Sequence, residues 1–404
     1  MISDKMVELV NNSSVIRAMF EEGKRLAGIY GAENVYDFSL GNPNVPAPGA
    51  VKEAIMSILE EEESTEVHGY MSNSGFEEVR QAIAASLNRR FKTAFNESNI
   101  IMTVGAAGGM NVLFKAVVNA GDEIIAFAPY FGEYRAYAAN ADANLIAVPP
   151  DTSTFQPNLE EFERLITPKT KAVIVNTPNN PTGVIYSEET IRKMAEIMER
   201  KQKEFGTVII LFSDEPYREL AYDGAEVPYL TKYYANTVVG YSYSKSLSLP
   251  GERIGYLVIP DELDDFASVK AACGVATRIL GFVNAPSLMQ KVIGRCVDID
   301  VSESVALYNR NRETLYAELT KLGFECIKPE GAFYMFMKTP IHEGPFCKLA
   351  KEYNILLVPG STFGCSGFVR IAYCVSYDTI VNSLPKFREL AEKLGLTRKQ
   401  EEKA

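Results

Sequence analysis

The sequence predicts an α/β protein: a large domain built on a mostly parallel, doubly wound sheet, with a smaller α+β domain beside it. Two features carry this. Between about residues 100 and 260, short apolar runs alternate with stretches of helical spacing, the pattern of repeated βαβ units whose strands are buried on both faces. After about residue 300 the alternation gives way to one long helical stretch followed by strand-like runs. A length of 404 residues and a hydrophobic content of 47% are enough for a substantial core. The expected division is an N-terminal arm with part of the small domain over 1–45, the large domain over 46–290 and the small domain over 291–404.

The elements follow in order. The opening stretch "MISDKMVELVNNSSVIRAMFEEGKRL" reads as an amphipathic, charged segment without the apolar core of a signal peptide. The strand-like runs are "NIIMTV", "DEIIAFA", "NLIAVP", "KAVIVN", "TVIILFS", "TVVGYSY" and "RIGYLVI". Between the fourth and fifth lies "SEETIRKMAEIMERKQKEFG", which opens on Ser187 with Glu188 and Glu189. Ile191, Met194 and Ile197 recur there at helical spacing, and Gly206 closes the stretch, so it reads as a crossover helix. The C-terminal part offers the helix "ESVALYNRNRETLYAELTKLG" and the strands "GAFYMFMK" and "FVRIAYC".

Composition narrows the function. With 52 acidic against 41 basic residues the net charge is −11, which argues against a nucleic-acid or anionic-membrane surface and leaves any phosphate site to be local. No apolar run reaches spanning length, and a cytoplasmic protein is expected. The six cysteines, all from position 273 onward, form no CxxC pair and read as reduced thiols. Two histidines, His68 and His342, cannot build a histidine-rich metal site, so no metal is expected and the chemistry needs another source.

In a doubly wound sheet ligands bind beyond the carboxyl ends of the strands, so the residues after each apolar run are the ones to inspect. After "IIMTV" the glycine-rich "GAAGGMNVLFKAV" lets the amides of Gly105, Ala106 and Ala107 approach an anion at a helix N-terminus; a tight strand-to-helix turn would need the same glycines. After "DEIIAFA", Tyr130 or Phe131 offers a flat face for a heteroaromatic ring, or simply core. After "KAVIVN", Asn180 precedes Pro181 and is held out of helical geometry, so its amide can project into the crevice. After "TVIILFS", Asp214 ends a buried strand and needs a cationic partner or good donors, unless it caps a helix; Tyr217 stands three residues on. After "TVVGYSY", Lys245 sits among serines with no acid beside it. A lysine desolvated there has a depressed pKa and can form a Schiff base with a carbonyl, while Ser242, Ser244 and Arg253 can hold a phosphate.

In this order and spacing the motifs resemble the pyridoxal-phosphate-dependent aminotransferases of class I/II, with the aspartate aminotransferase fold, over almost the whole chain from "DFSLGNPNVPAP" to "FVRIAYC". The resemblance implies that Lys245 carries pyridoxal 5′-phosphate and shuttles the substrate proton. It implies that Asp214 pairs with the ring nitrogen, that Asn180 and Tyr217 hold the ring's 3′ oxygen, and that Phe131 stacks on the ring. Phosphate contacts would come from Ala106 and Ala107 amides, Ser242, Ser244 and Arg253. Tyr70 in "HGYMSNSGFEEVRQAI" matches a tyrosine that reaches the neighbouring subunit's phosphate, so the resemblance implies a homodimer with shared sites. Arg370 matches the arginine that grips the α-carboxylate, and Gly41 a glycine lining the substrate side.

The implied function is transfer of an amino group from an α-amino acid to a 2-oxo acid in amino-acid metabolism, with aspartate or an aromatic amino acid as a candidate donor. "GAAGG" lacks the hydroxyls that some relatives place in the phosphate loop, so it would rely on main-chain amides. Arg278 in "ATRILGFVNAP" matches no motif for a second carboxylate, which puts aspartate specificity in question. The rival readings are a pyridoxal-phosphate lyase on the same scaffold, acting on a C–S bond or by β-decarboxylation, and a cofactor-sensing regulator, which needs an added DNA-binding domain.

Overall fold

Seven strands make the large sheet: β2 (Ile100–Thr103), β3 (Glu123–Phe127), β4 (Asn144–Val148), β5 (Thr170–Asn176), β6 (Ile210–Asp214), β7 (Thr237–Ser242) and β8 (Gly255–Val258). Their order is β2-β8-β7-β6-β5-β3-β4. This is a computed structural model, and it describes residues 1–3, 6–7, 10 and 15–396. Neighbours β4, β3, β5, β6 and β7 are parallel, as the βαβ reading requires, while β8 runs antiparallel to both β2 and β7. Strand side chains alternate between faces. On β3, Ile124 and Ala126 pack with the helices Gly105–Val117 and Phe266–Ile279, while Ile125 and Phe127 pack on the other face against Glu188–Phe205. Helices on both faces explain why the strands read as continuous apolar runs.

The crossover helix forms at Glu188–Phe205. The Ser187 side chain accepts from the Thr190 amide at its start, and Gly206 closes it at φ 66°, a left-handed turn that glycine adopts without strain.

The smaller unit is a four-stranded antiparallel sheet in the order β12-β13-β10-β9, made of β9 (Glu325–Cys326), β10 (Tyr334–Lys338), β12 (Val358–Pro359) and β13 (Phe368–Ala372). Beside it β1 (Tyr36–Asp37) pairs in parallel with β11 (Ile355–Leu356), so the N-terminal segment joins the small domain. The expected N-terminal amphipathic segment lies partly outside the described residues, as does the end of the 291–404 division; the described part includes the helix Val15–Tyr30. A boundary after residue 290 would meet a helix. It cuts the helix Ser287–Cys296, whose Met289, Val292, Ile293 and Cys296 pack with Val51, Ala54, Ile58 and Ile83 of the large domain. The next segment without helix or strand is 297–301, which leads into the helix Ser302–Lys321.

Candidate active site

The register of the parallel strands brings polar residues to one level: Asn176 at the end of β5 is opposite Asp214 at the end of β6, and Asp214 is opposite Gly240 on β7. Beyond these ends lies a cavity of about 340 Å³, bounded on the other side by Gly41 and by Tyr334 and Arg370 of the small domain. Asp214 is the last residue of its strand, not a helix cap. It accepts a 2.5 Å hydrogen bond from the Tyr134 phenol. Burial pushes its carboxyl up to about 7 against that hydrogen bond, and the nearby Glu215 adds to the rise. The Tyr134 phenol, buried beside a carboxylate, is held well above its usual pKa and keeps its proton. Asn176 donates to the Asp214 carbonyl at 2.9 Å and accepts from the Asn180 amide at 2.8 Å, which ties both strand ends together.

Lys245 lies in a one-turn helix, Tyr243–Ser246, that starts as β7 ends. Ser242 caps it by accepting from the Ser244 amide, and the two serine hydroxyls sit 2.7 Å apart on the cavity wall. The lysine amine donates to the Gly41 carbonyl at 2.8 Å. Burial first, then the positive charges of Arg370 and Arg253, lower its pKa to about 8, so it is deprotonated far more readily than an ordinary lysine. The nearby Cys374 supplies no counter-charge, because burial pushes its thiol up to about 12.

Beside this helix the N-terminus Gly105–Val117 opens on the cavity through Ala106 and Ala107, with no side-chain cap from Val104. Gly105 has φ +70°, and a Cβ there would stand 2.6 Å from Arg253 Nη2. The backbone therefore requires glycine, and a side chain there would also have to displace the Arg253 guanidinium. Free helix amides, two hydroxyls and a guanidinium meet at one end of the cavity, a combination suited to a phosphate.

At the opposite end Arg370 is 2% exposed, yet among the described residues no carboxylate pairs with it. It donates to the Asn180 side chain at 3.1 Å and the Ser39 carbonyl at 2.5 Å, and its Nε has no partner. Its guanidinium lies between the rings of Tyr334 and Phe363, at 4.5 and 4.9 Å from their centroids. A buried, unneutralised guanidinium calls for an anion from outside the chain. Tyr217 and Tyr334 place their hydroxyls 3.0 Å apart, and burial holds the Tyr217 phenol well above its usual pKa and pushes that of Tyr334 up to about 12.

The structure gathers Gly41, Ala106, Ala107, Phe131, Asn180, Asp214, Tyr217, Ser242, Ser244, Lys245, Arg253 and Arg370 around this cavity, with Gly105 behind the wall. Of the alternatives Tyr130 and Phe131, Phe131 lines the cavity while the Tyr130 hydroxyl accepts from Arg135. Two residues stay apart: Tyr70 is 92% exposed and Arg278 is exposed at the end of Phe266–Ile279, neither reaching the cavity of its own chain. Sequence reasoning missed Tyr134, Tyr334 and Asn176. Asn176 was within reach, being the polar end of the run "KAVIVN" opposite Asp214.

The family model for "Aminotransferase class I and II" matches residues 32–384. An amino transferase from Eubacterium rectale has a crystal structure that superposes with a TM-score of 0.94 at 47% identity, covering 98% of this chain and 99% of that one. The aspartate aminotransferase of Thermotoga maritima is 28% identical over 96% of this chain and 99% of its own. The aspartate/prephenate aminotransferase of Thermus thermophilus is 30% identical over 86% of this chain and 88% of its own.

Proposed function

The chain belongs to the class I and II aminotransferases, and from that premise we propose that it moves an amino group from an α-amino acid to a 2-oxo acid using pyridoxal 5′-phosphate. It is an enzyme of amino-group transfer; the lyase reading finds no support among the relatives, which are named as transferases. The observation that carries the proposal is one cavity holding a lysine amine lowered to about 8, a buried carboxyl raised to about 7 and an unneutralised arginine.

The residues fit that cofactor. A buried carboxylate without a cation suits a protonated pyridine nitrogen, and the Gly105–Arg253 cradle with its free helix amides suits the phosphate. Lys245 would hold the carbonyl carbon, Phe131 would cover a ring face, and Asn180 with Tyr217 would bind the ring oxygen. When bound, the protonated ring draws electron density from the amino acid's Cα.

The chain's own groups do the remainder. Arg370 offers its guanidinium fork to the α-carboxylate and so fixes which bond of Cα faces Lys245. Lys245 Nζ, near neutral pKa, takes a proton from Cα and returns it. Tyr134 keeps its proton and anchors Asp214 by donating to one carboxylate oxygen, leaving the other for the cofactor.

Tyr70, 92% exposed, serves the neighbouring subunit's phosphate in our reading, which makes the working form a homodimer with shared sites. Among the described residues no helix is long and apolar enough to cross a membrane, and we place the enzyme in the cytoplasm. Relatives are named for aspartate, prephenate and aromatic amino acids. Among its described residues the cavity of one chain offers Arg370 and the phosphate-side Arg253 but no further arginine, and Phe131, Tyr137 and Tyr334 line it. That favours an aromatic donor over a dicarboxylic one.

The test is the visible spectrum of the protein with pyridoxal phosphate, before and after single amino acids are added without oxo acid. A band that converts with particular amino acids, and a borohydride-trapped adduct on Lys245, are expected. No band and no adduct would overturn the assignment.

A further inference from the structure

We propose that Tyr334 is a positioning residue that orients the Tyr217 hydroxyl as a donor into the cavity and supports the Arg370 guanidinium from behind. This rests on the functional reading given above.

Tyr334 opens β10 from the small domain and is buried. Its hydroxyl lies 3.0 Å from that of Tyr217, with the two rings at 5.6 Å and 82°. The Arg370 guanidinium sits 4.5 Å over its face. Its hydroxyl also lies against Gly41, where a Cβ would come within 1.9 Å, and the carbonyl of that same glycine accepts from Lys245.

Of two phenols in one hydrogen bond, one donates and the other accepts. Tyr217 lines the cavity beside Asn180, and its proton is of use to a ligand oxygen only if it is not spent on Tyr334. Tyr334 has no other acceptor among the described residues, so the arrangement that satisfies both hydroxyls with a ligand present has Tyr334 donating to Tyr217 and Tyr217 donating into the cavity. A donor that is itself a hydrogen-bond acceptor is the stronger for it. The aromatic face under Arg370 adds attraction to a cation that lacks an acidic partner.

Tyr334→Phe removes the hydroxyl and keeps the ring; Tyr334→Leu removes both. A donor to the cofactor's ring oxygen favours its deprotonated form. In Tyr334→Phe the midpoint of the pH-dependent visible band should therefore move upward by about 0.5 unit. The dissociation constant of an unreactive α-methyl amino acid should stay within about twofold in Tyr334→Phe and weaken roughly fivefold or more in Tyr334→Leu. An unmoved midpoint in a folded, cofactor-loaded Tyr334→Phe overturns the orienting role. Equal affinities in the two variants overturn the support of Arg370. If Tyr334→Leu does not fold, Tyr334→Met replaces it. Wild-type protein without a pH-dependent band would instead overturn the functional reading and this inference with it.

Discussion

Replacing Lys245 with Met in the cofactor-free protein should raise its stability at neutral pH. Burial and two nearby guanidinium groups bring the lysine from an ordinary 10.5 to about 8. Below pH 8 the amine is protonated in both states, so the folded chain bears the whole penalty of holding that charge. Between 8 and 10.5 the folded state binds fewer protons than the unfolded one, and stability rises; above 10.5 the penalty is gone. A fall of this size corresponds to a ceiling of about 3 kcal/mol, which the lysine's partial exposure to the cavity reduces to about 1–3 kcal/mol. Losing the hydrogen bond to the Gly41 carbonyl takes back about 1 kcal/mol. Lys245→Met should thus gain about 0–2 kcal/mol at pH 7, with the advantage shrinking toward pH 10.5. Urea unfolding of cofactor-stripped protein across this range, at matched protomer concentration, measures it. A variant less stable at pH 7, or a difference that does not vary with pH, would refute the account of the lysine's desolvation.

Asp214→Asn should stabilise the cofactor-free protein at pH 8 by up to about 4 kcal/mol and by little near pH 4, because a carboxyl raised from 3.8 to about 7 weakens the fold as pH climbs through that window; unfolding at the two pH values checks it. Arg370→Leu should weaken amino-acid binding by about a hundredfold or more and leave cofactor affinity within about threefold, read by spectral titration; unchanged substrate binding would remove its carboxylate role. Gly105→Ala should lower cofactor affinity about tenfold, since the positive φ resists a methyl and the methyl would push the Arg253 guanidinium aside, and excess cofactor should restore turnover. Mixing Lys245→Ala with Tyr70→Phe protein should regenerate turnover through hybrid dimers beyond that of either parent. No recovery after subunit exchange would refute shared sites.

The strand ends were legible because a buried apolar run that stops at a polar residue is a physical statement: Asp214 or Asn180 in such a place must meet something. Lys245 and Arg370 were legible for the same reason, as charges with no partner in their own segment. Tyr134 and Tyr334 were not, since each stands among other aromatics in "PYFGEYRAY" and "GAFYMFMK", where apolar patterning does not say which ring turns to the cavity. The direction of β8 also went unread. "RIGYLVI" has the apolar content of its parallel neighbours, yet the stretch joining Ser242 to Gly255 holds a single helical turn, too short for the usual crossover helix, and the observed strand runs antiparallel. Tyr70 is a different case, because its proposed partner belongs to another copy of the chain.

The segment "DEPYREL" shows how the site is held in place. Asp214 and Tyr217 face the cavity, while Glu215, Arg218 and Glu219 turn away into a buried ion cluster behind it. Arg218 donates to Glu215 at 2.8 Å and to the Tyr256 hydroxyl at 3.0 Å, and lies over the ring of Tyr241 at 4.3 Å. Arg90 joins the cluster by pairing with Glu219. Buried ion pairs of this kind add little net stability, because the charges must be desolvated, but removing one member is costly. Their value here is geometric. The Arg218 contacts run to β7 and β8, the strands that flank the Lys245 helix, so the loop carrying Asp214 and Tyr217 is held to the wall carrying Lys245. A site that keeps a carboxyl and an amine away from their ordinary protonation needs such a frame, since a loop free to relax would let both groups reach water.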